Sequence, residues 1–268
     1  AVIIKGILFY GIWGFFAWKI RQNSIKQADN ADNKDTKLYK SNVKLSIIFL
    51  ILFMYTFSIH CIDLLMALEA KWFSTMFGVY IFAGMFLSSM CVIAMVAILL
   101  RKHEKVRAAI GKRHLYDLGT WIMAFSCFMC YVGFSQYMLI WYANIPEETF
   151  YIIERSNNGW QVIFALLPIL KWVVPFAFLM PQPFRSHPGI IVPVGIAVLI
   201  GQWLDLYWVI YPTFYSSLAE APFGAGEIGS FLFVLGMFGV ALNHVYKKFS
   251  ILPMGDPYLN TSVDGSYL

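Results

Sequence analysis

Charge is what this chain is short of. Lys, Arg, Asp and Glu make up 13% of its 268 residues, where a water-soluble domain carries about a quarter. With 59% of residues hydrophobic and 18% aromatic, one aqueous core could not take up the apolar surface; a lipid bilayer can. Sustained alternation of apolar and polar residues is also missing, which argues against an outer-membrane barrel. The four cysteines, Cys61, Cys91, Cys127 and Cys130, include no Cys-x-x-Cys-His run, so covalent haem attachment is not encoded. Cys127 and Cys130 make a Cys-x-x-Cys pair inside an apolar segment, where small packing residues are a better reading than a zinc or redox pair. The net charge of +5 does not describe a nucleic-acid surface, because the basic residues are segregated between apolar segments and form no aromatic-laced face. Ala1–Phe16 has Lys5 as its only basic residue, and no small-x-small cleavage site follows. It reads as a membrane helix and not as a signal peptide.

What the chain does have is long apolar runs. A bilayer-spanning helix needs about 20 predominantly apolar residues, and that ruler gives seven: Ala1–Trp18, Leu45–Leu68, Trp72–Leu100, Leu118–Ala143, Gln161–Met180, Ile190–Tyr211 and Ile228–Tyr246. The expected fold class is an all-α polytopic membrane protein of about seven transmembrane helices. Residues 1–18 form the first helix, 19–44 a basic loop, 45–246 a membrane domain with helices two to seven, and 247–268 a tail. Within the loop, Gln22–Asn42 is rich in Asn, Asp and Lys and is expected to be mobile. Lys and Arg are retained on the cytoplasmic side. Connections 19–44 and 101–117, with Arg185, Lys247 and Lys248, hold sixteen of them; the alternate connections hold Lys71 and Arg155 alone. The first residue is therefore expected outside and the C-terminus in the cytoplasm.

Ionisable groups at bilayer depth are costly and point to function. Asp63 falls near the outer end of the second span, with His60 a turn deeper on the same face. Asp205 and Gln202 fall in the outer half of the sixth. Lys171 lies near the middle of the fifth, between Pro168 and Pro175, each of which frees a carbonyl one turn earlier. These groups could string together as a hydrated proton path, extended by Tyr131, Ser135, Gln136 and Tyr137 on the fourth span, which also carries Ser126. Asp117 with His114, and separately His244, would stand at the cytoplasmic ends. The plainer alternatives are a Lys171 pinned by Asp205 or Asp63, a packing His60, hydroxyls bonded to their own helices and terminal caps. Trp203, Tyr207 and Trp208 flank Asp205 and are weak candidates for a quinone pocket, against ordinary lipid-facing packing. No metal-ligand set or catalytic residue is evident.

The segment Phe134-Ser-Gln-Tyr-Met-Leu-Ile-Trp-Tyr-Ala-Asn-Ile-Pro-Glu-Glu-Thr149 resembles the second NrfD/PsrC-like membrane subunit of alternative complex III, a bacterial quinol:electron-acceptor oxidoreductase. Lys71-Trp-Phe-Ser-Thr-Met-Phe-Gly-Val-Tyr80, His114-Leu-Tyr-Asp-Leu118, Trp203-Leu-Asp-Leu-Tyr207 and Asp256-Pro-Tyr-Leu259 add to the likeness. The family's Pro-His pair before Trp-Phe-Ser-Thr is Ala70-Lys71 here, so no role of that histidine carries over. The resemblance implies helical bundles of NrfD/PsrC-like type: ten helices as two four-helix bundles plus two, hence about three helices ahead of residue 1. It implies an inner-membrane location and partners that carry the cofactors: a multihaem cytochrome c, an iron–sulfur subunit and a paralogous NrfD-like subunit, with membrane lipids and a terminal oxidase as further contacts. Quinol oxidation is implied near the outer face, chiefly in the paralogue. A secondary transporter and a purely structural membrane scaffold are the rival expectations.

Overall fold

A computed structural model describes residues 2–29, 36–248, 255–259 and 263, and among these every regular element is helical. Seven helical stretches among them are long and apolar enough to cross a membrane. The elements are α1 (Val2–Asp29), α2 (Lys37–Leu64), α3 (Phe77–Leu100), α4 (Glu104–Ala109), α5 (Lys112–Ala143), α6 (Pro146–Arg155), α7 (Trp160–Pro168), α8 (Val174–Leu179), α9 (Pro188–Ile210) and α10 (Ala225–Lys248). Between α7 and α8, Ile169–Val173 is a π-turn, so α7, the turn and α8 make one span. The chain is an all-α multi-pass membrane protein.

α3, α5, α7–α8 and α9 form a four-helix bundle, each packed on two neighbours. One end of the bundle is covered by α6; the other carries Arg185 in a short 3₁₀ turn. Its core contains Leu87, Cys91, Leu115, Ile122, Leu179, Ile191 and Val198, all at 0% exposure. In lipid, small residues let helix backbones approach closely. Gly201 on α9 does so beside the π-turn, since a Cβ there would stand 2.7 Å from Lys171 Cγ. Gly84 on α3 does so opposite Gln202.

α1 and α2 are an antiparallel pair leaning on this bundle through α2 and α3. Their register is set by polar pairs: Lys5 with Asp63, Tyr10 with His60, Trp13 donating to Thr56 Oγ1 at 2.9 Å, and Asn23 donating to Asn42 Oδ1 at 2.9 Å. Each such bond inside hydrocarbon replaces an otherwise unsatisfied polar group. The Asn23–Asn42 contact also corrects the expected mobile loop. Its ends are helical to Asp29 and again from Lys37, because polar side chains that cannot pack in lipid bond to each other beyond it; residues 30–35 lie outside the described residues. α5 likewise starts six residues before the expected Leu118, where Gly111 N–H donates to His114 Nδ1 at 3.3 Å and caps the helix. α10 has no buried residue among those described. It is tied to α9 by Tyr211, which donates to Glu227 Oε1 at 2.9 Å.

Candidate functional site

Two prolines seven residues apart disturb the fifth span, and the disturbance is what turns Lys171 inward. Neither ring supplies an N–H, and the helix widens: Val174 N–H donates to the carbonyl of Ile169, five residues back. Such π-bulges insert one extra residue per turn and recur at functional sites. Here the extra residue rotates Lys171 into the bundle, where it is 4% exposed. Its Nζ donates to Asp205 Oδ2 at 2.8 Å, and Asp205 is itself 0% exposed. The other carboxylate oxygen accepts from the Tyr80 hydroxyl at 2.5 Å. The Tyr80 ring lies 5.7 Å from the ammonium. By helical rise Lys171 stands roughly 16 Å from the start of α7 and Asp205 roughly 8 Å from the end of α9, both inside membrane-spanning segments. A charge there is tolerated only when paired and hydrogen-bonded, and both oxygens of Asp205 are satisfied.

Beside the pair opens a cavity of about 430 Å³, formed by α3, α5, α6, α7, the π-turn and α9. Tyr80 and Lys171 are at its polar part; Phe77, Phe164 and Trp208 are among its walls. Phe164 and Trp208 stack at 5.5 Å, and Tyr137 lies 5.7 Å from Phe164. Gly133 leaves room for the Tyr80 ring, since a Cβ would stand 3.1 Å from it.

α6 covers the top. Pro146 at its first turn, followed by Glu147 and Glu148, is a favourable helix start, and Tyr151 and Arg155 are its buried residues. The Arg155 guanidinium lies 3.7 Å over the Tyr151 ring, and Trp72 stacks on that ring at 3.8 Å and 9°. Arg155 donates to the carbonyls of Tyr151 and Val209 and to Thr213 Oγ1, at 3.3, 3.1 and 2.9 Å. Its guanidinium stands 3.8 Å from Glu69. Burial lowers the pKa of Arg155, while Tyr151 and Glu69 raise it back. Burial pushes Tyr151 up to about 12, Arg155 opposing and Asp205 and Glu69 adding to the shift.

The structure thus brings together part of the expected polar string. Lys171 and Asp205 are paired, Gln136, Tyr137 and Trp208 line the cavity, and Gln202 precedes Asp205 by one turn with its Oε1 buried and without a partner among the described residues. His60 and Asp63 are elsewhere: the α1–α2 pair holds them with Tyr10 and Lys5. The pin for Lys171 is therefore Asp205 and not Asp63. Tyr131 is exposed on the apolar surface at 67%, and Ser135 is half-buried outside the cavity lining. Ser126 donates to the carbonyl of Met123 in its own helix. Asp117 is exposed near the far end of α5. Trp203 and Tyr207 face away from the cavity, stacked on each other and against Phe223.

Sequence reading missed Tyr80 and Arg155. Tyr80 looked like one more aromatic in an apolar segment. Arg155 looked like an ordinary loop charge, although a lone arginine at the end of a short amphipathic helix was a signal. Among the described residues no group of three or more His, Cys, Asp or Glu side chains is arranged to hold a metal. Compared with known proteins, the chain matches no family model and no curated protein.

Proposed function

We propose that the chain is a membrane subunit of a quinol-oxidising respiratory complex of the alternative complex III type, handling protons at Lys171, Asp205 and Tyr80. The observation that carries this is the buried ion pair set by a π-turn beside a cavity within the bundle. A structural pin needs no cavity, whereas a proton-handling group needs space for water or a substrate next to it. The motif resemblance supplies the setting, the bacterial inner membrane, and the Lys and Arg distribution supports a cytoplasmic C-terminus with the α6 end outside. The resemblance also supplies the partners, a multihaem cytochrome c, an iron–sulfur subunit and a paralogous membrane subunit that carry the haem c and the clusters. This chain supplies helices, proton acceptors and protein contacts, and does not turn over quinol alone.

Tyr80, Lys171 and Asp205 have distinct roles in this reading. The ammonium pairs the carboxylate at a depth where an unpaired charge is costly. The Tyr80 hydroxyl donates to that carboxylate and borders the cavity, so it is the group through which a proton from the cavity side reaches Asp205. Purification in mild detergent tests the setting: haem c absorbance, an iron–sulfur protein and a paralogous helical subunit should accompany the chain. Isolation without them, with solute uptake by the chain alone, would make it a transporter. A scaffold is the second reading, favoured by the full pairing of Asp205. It predicts that Asp205→Asn breaks assembly; the proton reading predicts an assembled complex with impaired quinol oxidation or proton yield.

A further inference from the structure

At its basic end the α1–α2 pair outruns the bilayer. Leu45–Leu64 of α2 rises about 30 Å, the thickness of a hydrocarbon core. Lys44 therefore stands at the boundary and Lys40 about 6 Å beyond it, at the level of phospholipid headgroups. α1 is held at the matching height, since Asn23 donates to Asn42 and Asn42 Nδ2 donates to the carbonyl of Ile20 at 3.4 Å. Residues 255–259, beyond α10, close a third side. Gln27 donates to the carbonyl of Gly255 at 2.9 Å, and the Tyr39 and Tyr258 rings lie 5.2 Å apart. A Cβ at Gly255 would run into the carbonyl oxygen of Gln27, so only glycine lets this segment approach. The three parts enclose a cavity of about 380 Å³. Ser24, Gln27 and Tyr39 line it on the headgroup side. Ile47 and Leu50 line it about 4 and 9 Å inside the boundary, where they are 54% and 65% exposed.

We infer that this groove is a binding site for an anionic phospholipid with a hydroxyl-bearing headgroup, its phosphate diester at Lys40 and Lys44 and the start of an acyl chain along Val43, Ile47 and Leu50. Val43, Ile47 and Leu50 recur at helical spacing and make one apolar stripe. Lys40, Lys44 and Ile47 form the row beside it, so the two ammonium groups stand directly over the apolar end of the groove. Neither lysine has an ion-pair partner among the described residues. Residues 19–44 carry seven Lys and Arg against three Asp, and the tail adds Asp256 to the lining. The local field is therefore positive, which favours a phosphate of net negative charge. A free phosphate would leave the exposed Ile47 and Leu50 unused, whereas a lipid fills both ends. Asp256 accepts from the Tyr258 backbone N–H at 2.9 Å. Its carboxylate accepts further from a headgroup hydroxyl and repels a second phosphate, which selects a glycerol headgroup over a doubly anionic one. A lipid here bridges the α1–α2 pair and the segment behind α10, a helix with no buried residue of its own. The site is independent of the reading of the chain as a respiratory subunit.

The test takes the full chain as purified in mild detergent, with the subunits that accompany it, stripped of lipid and titrated with dioleoyl-phosphatidylglycerol. Bound lipids are counted by native mass spectrometry. A saturable, tightly held phosphatidylglycerol is expected, retained at least about tenfold more strongly than phosphatidylethanolamine or phosphatidylcholine. Each lysine at a membrane surface is worth about fivefold in affinity for anionic lipid, so Lys40→Gln/Lys44→Gln should weaken this lipid by about tenfold or more. Val43→Trp fills the groove and leaves every charge in place; it should weaken binding similarly, and it decides the matter if the double variant fails to fold. Binding unchanged in Val43→Trp, or never saturating, would overturn the inference and leave a diffuse basic surface. Equal retention of phosphatidylethanolamine would overturn the anionic assignment, and displacement by millimolar inorganic phosphate would make the groove a free-anion site. Loss of the tight lipid in both variants, with unchanged circular dichroism, upholds the site whether or not haem or iron–sulfur partners accompany the chain.

Discussion

Replacing Asp205 by leucine would strand the Lys171 ammonium inside hydrocarbon, and the structure allows the cost to be worked. Lys171 is 4% exposed and Asp205 0%, so neither partner of a broken pair reaches bulk water. Removing one member of such a pair costs about 3–5 kcal/mol, because the remaining charge is uncompensated. The cavity against Lys171 offers some hydration, which places Asp205→Leu toward the lower end of that range. Lys171→Met strands the carboxylate instead, with Tyr80 still donating to it. The double variant Lys171→Met/Asp205→Leu removes both charges with little change of volume. It should recover to within about 1–3 kcal/mol of the parent, the remainder being the Tyr80 hydroxyl left without an acceptor. Adding Tyr80→Phe should remove that remainder. The assay is unfolding in mixed micelles with increasing sodium dodecyl sulfate, followed by circular dichroism, on all four variants. Single variants costing under about 1 kcal/mol, or a double equal to the sum of the singles, would refute the picture of a coupled, desolvated pair. The same proteins separate pin from relay. A double or triple variant that is stable, assembled and normal in quinol oxidation and proton yield would leave the pair a structural pin.

The clamp above the cavity gives a second test. Arg155→Met removes the guanidinium that donates to the Tyr151 and Val209 carbonyls and to Thr213 and that stands beside Glu69; it should cost about 2–4 kcal/mol, seen as earlier proteolysis within 144–160. Arg155→Lys should rescue only in part, for want of the planar fork. Tyr151, pushed up to about 12, holds its proton longer folded than unfolded. Its contribution is therefore fully present below about pH 10 and lost as pH rises toward 12, by roughly 2–3 kcal/mol; Tyr151→Phe should flatten that alkaline loss, measured by the same unfolding assay. Orientation is tested with a membrane-impermeant thiol reagent on intact cells: Ser216→Cys should label and Gln182→Cys should not, and the reverse pattern would invert the topology.

What the residues alone determined was the solvent, the helix count and the candidate polar positions. Runs of about 20 apolar residues can only be membrane helices when charge is this sparse, and that demand is local, so it is legible without contacts. The depth of Lys171 between two prolines, and of Asp205, was legible for the same reason. Which partner Lys171 took was not, because Asp63 and Asp205 stand on different helices, and helix order around a bundle is a matter of packing. Lys5 claimed Asp63, and Gly201 let α9 come close enough for Asp205 to reach Lys171. The expected string therefore came apart into an α1–α2 set and a bundle set. Tyr80, Arg155 and the cavity itself came only from tertiary structure. A cavity is the space left between several elements after their side chains interlock, and no one-dimensional pattern records that space.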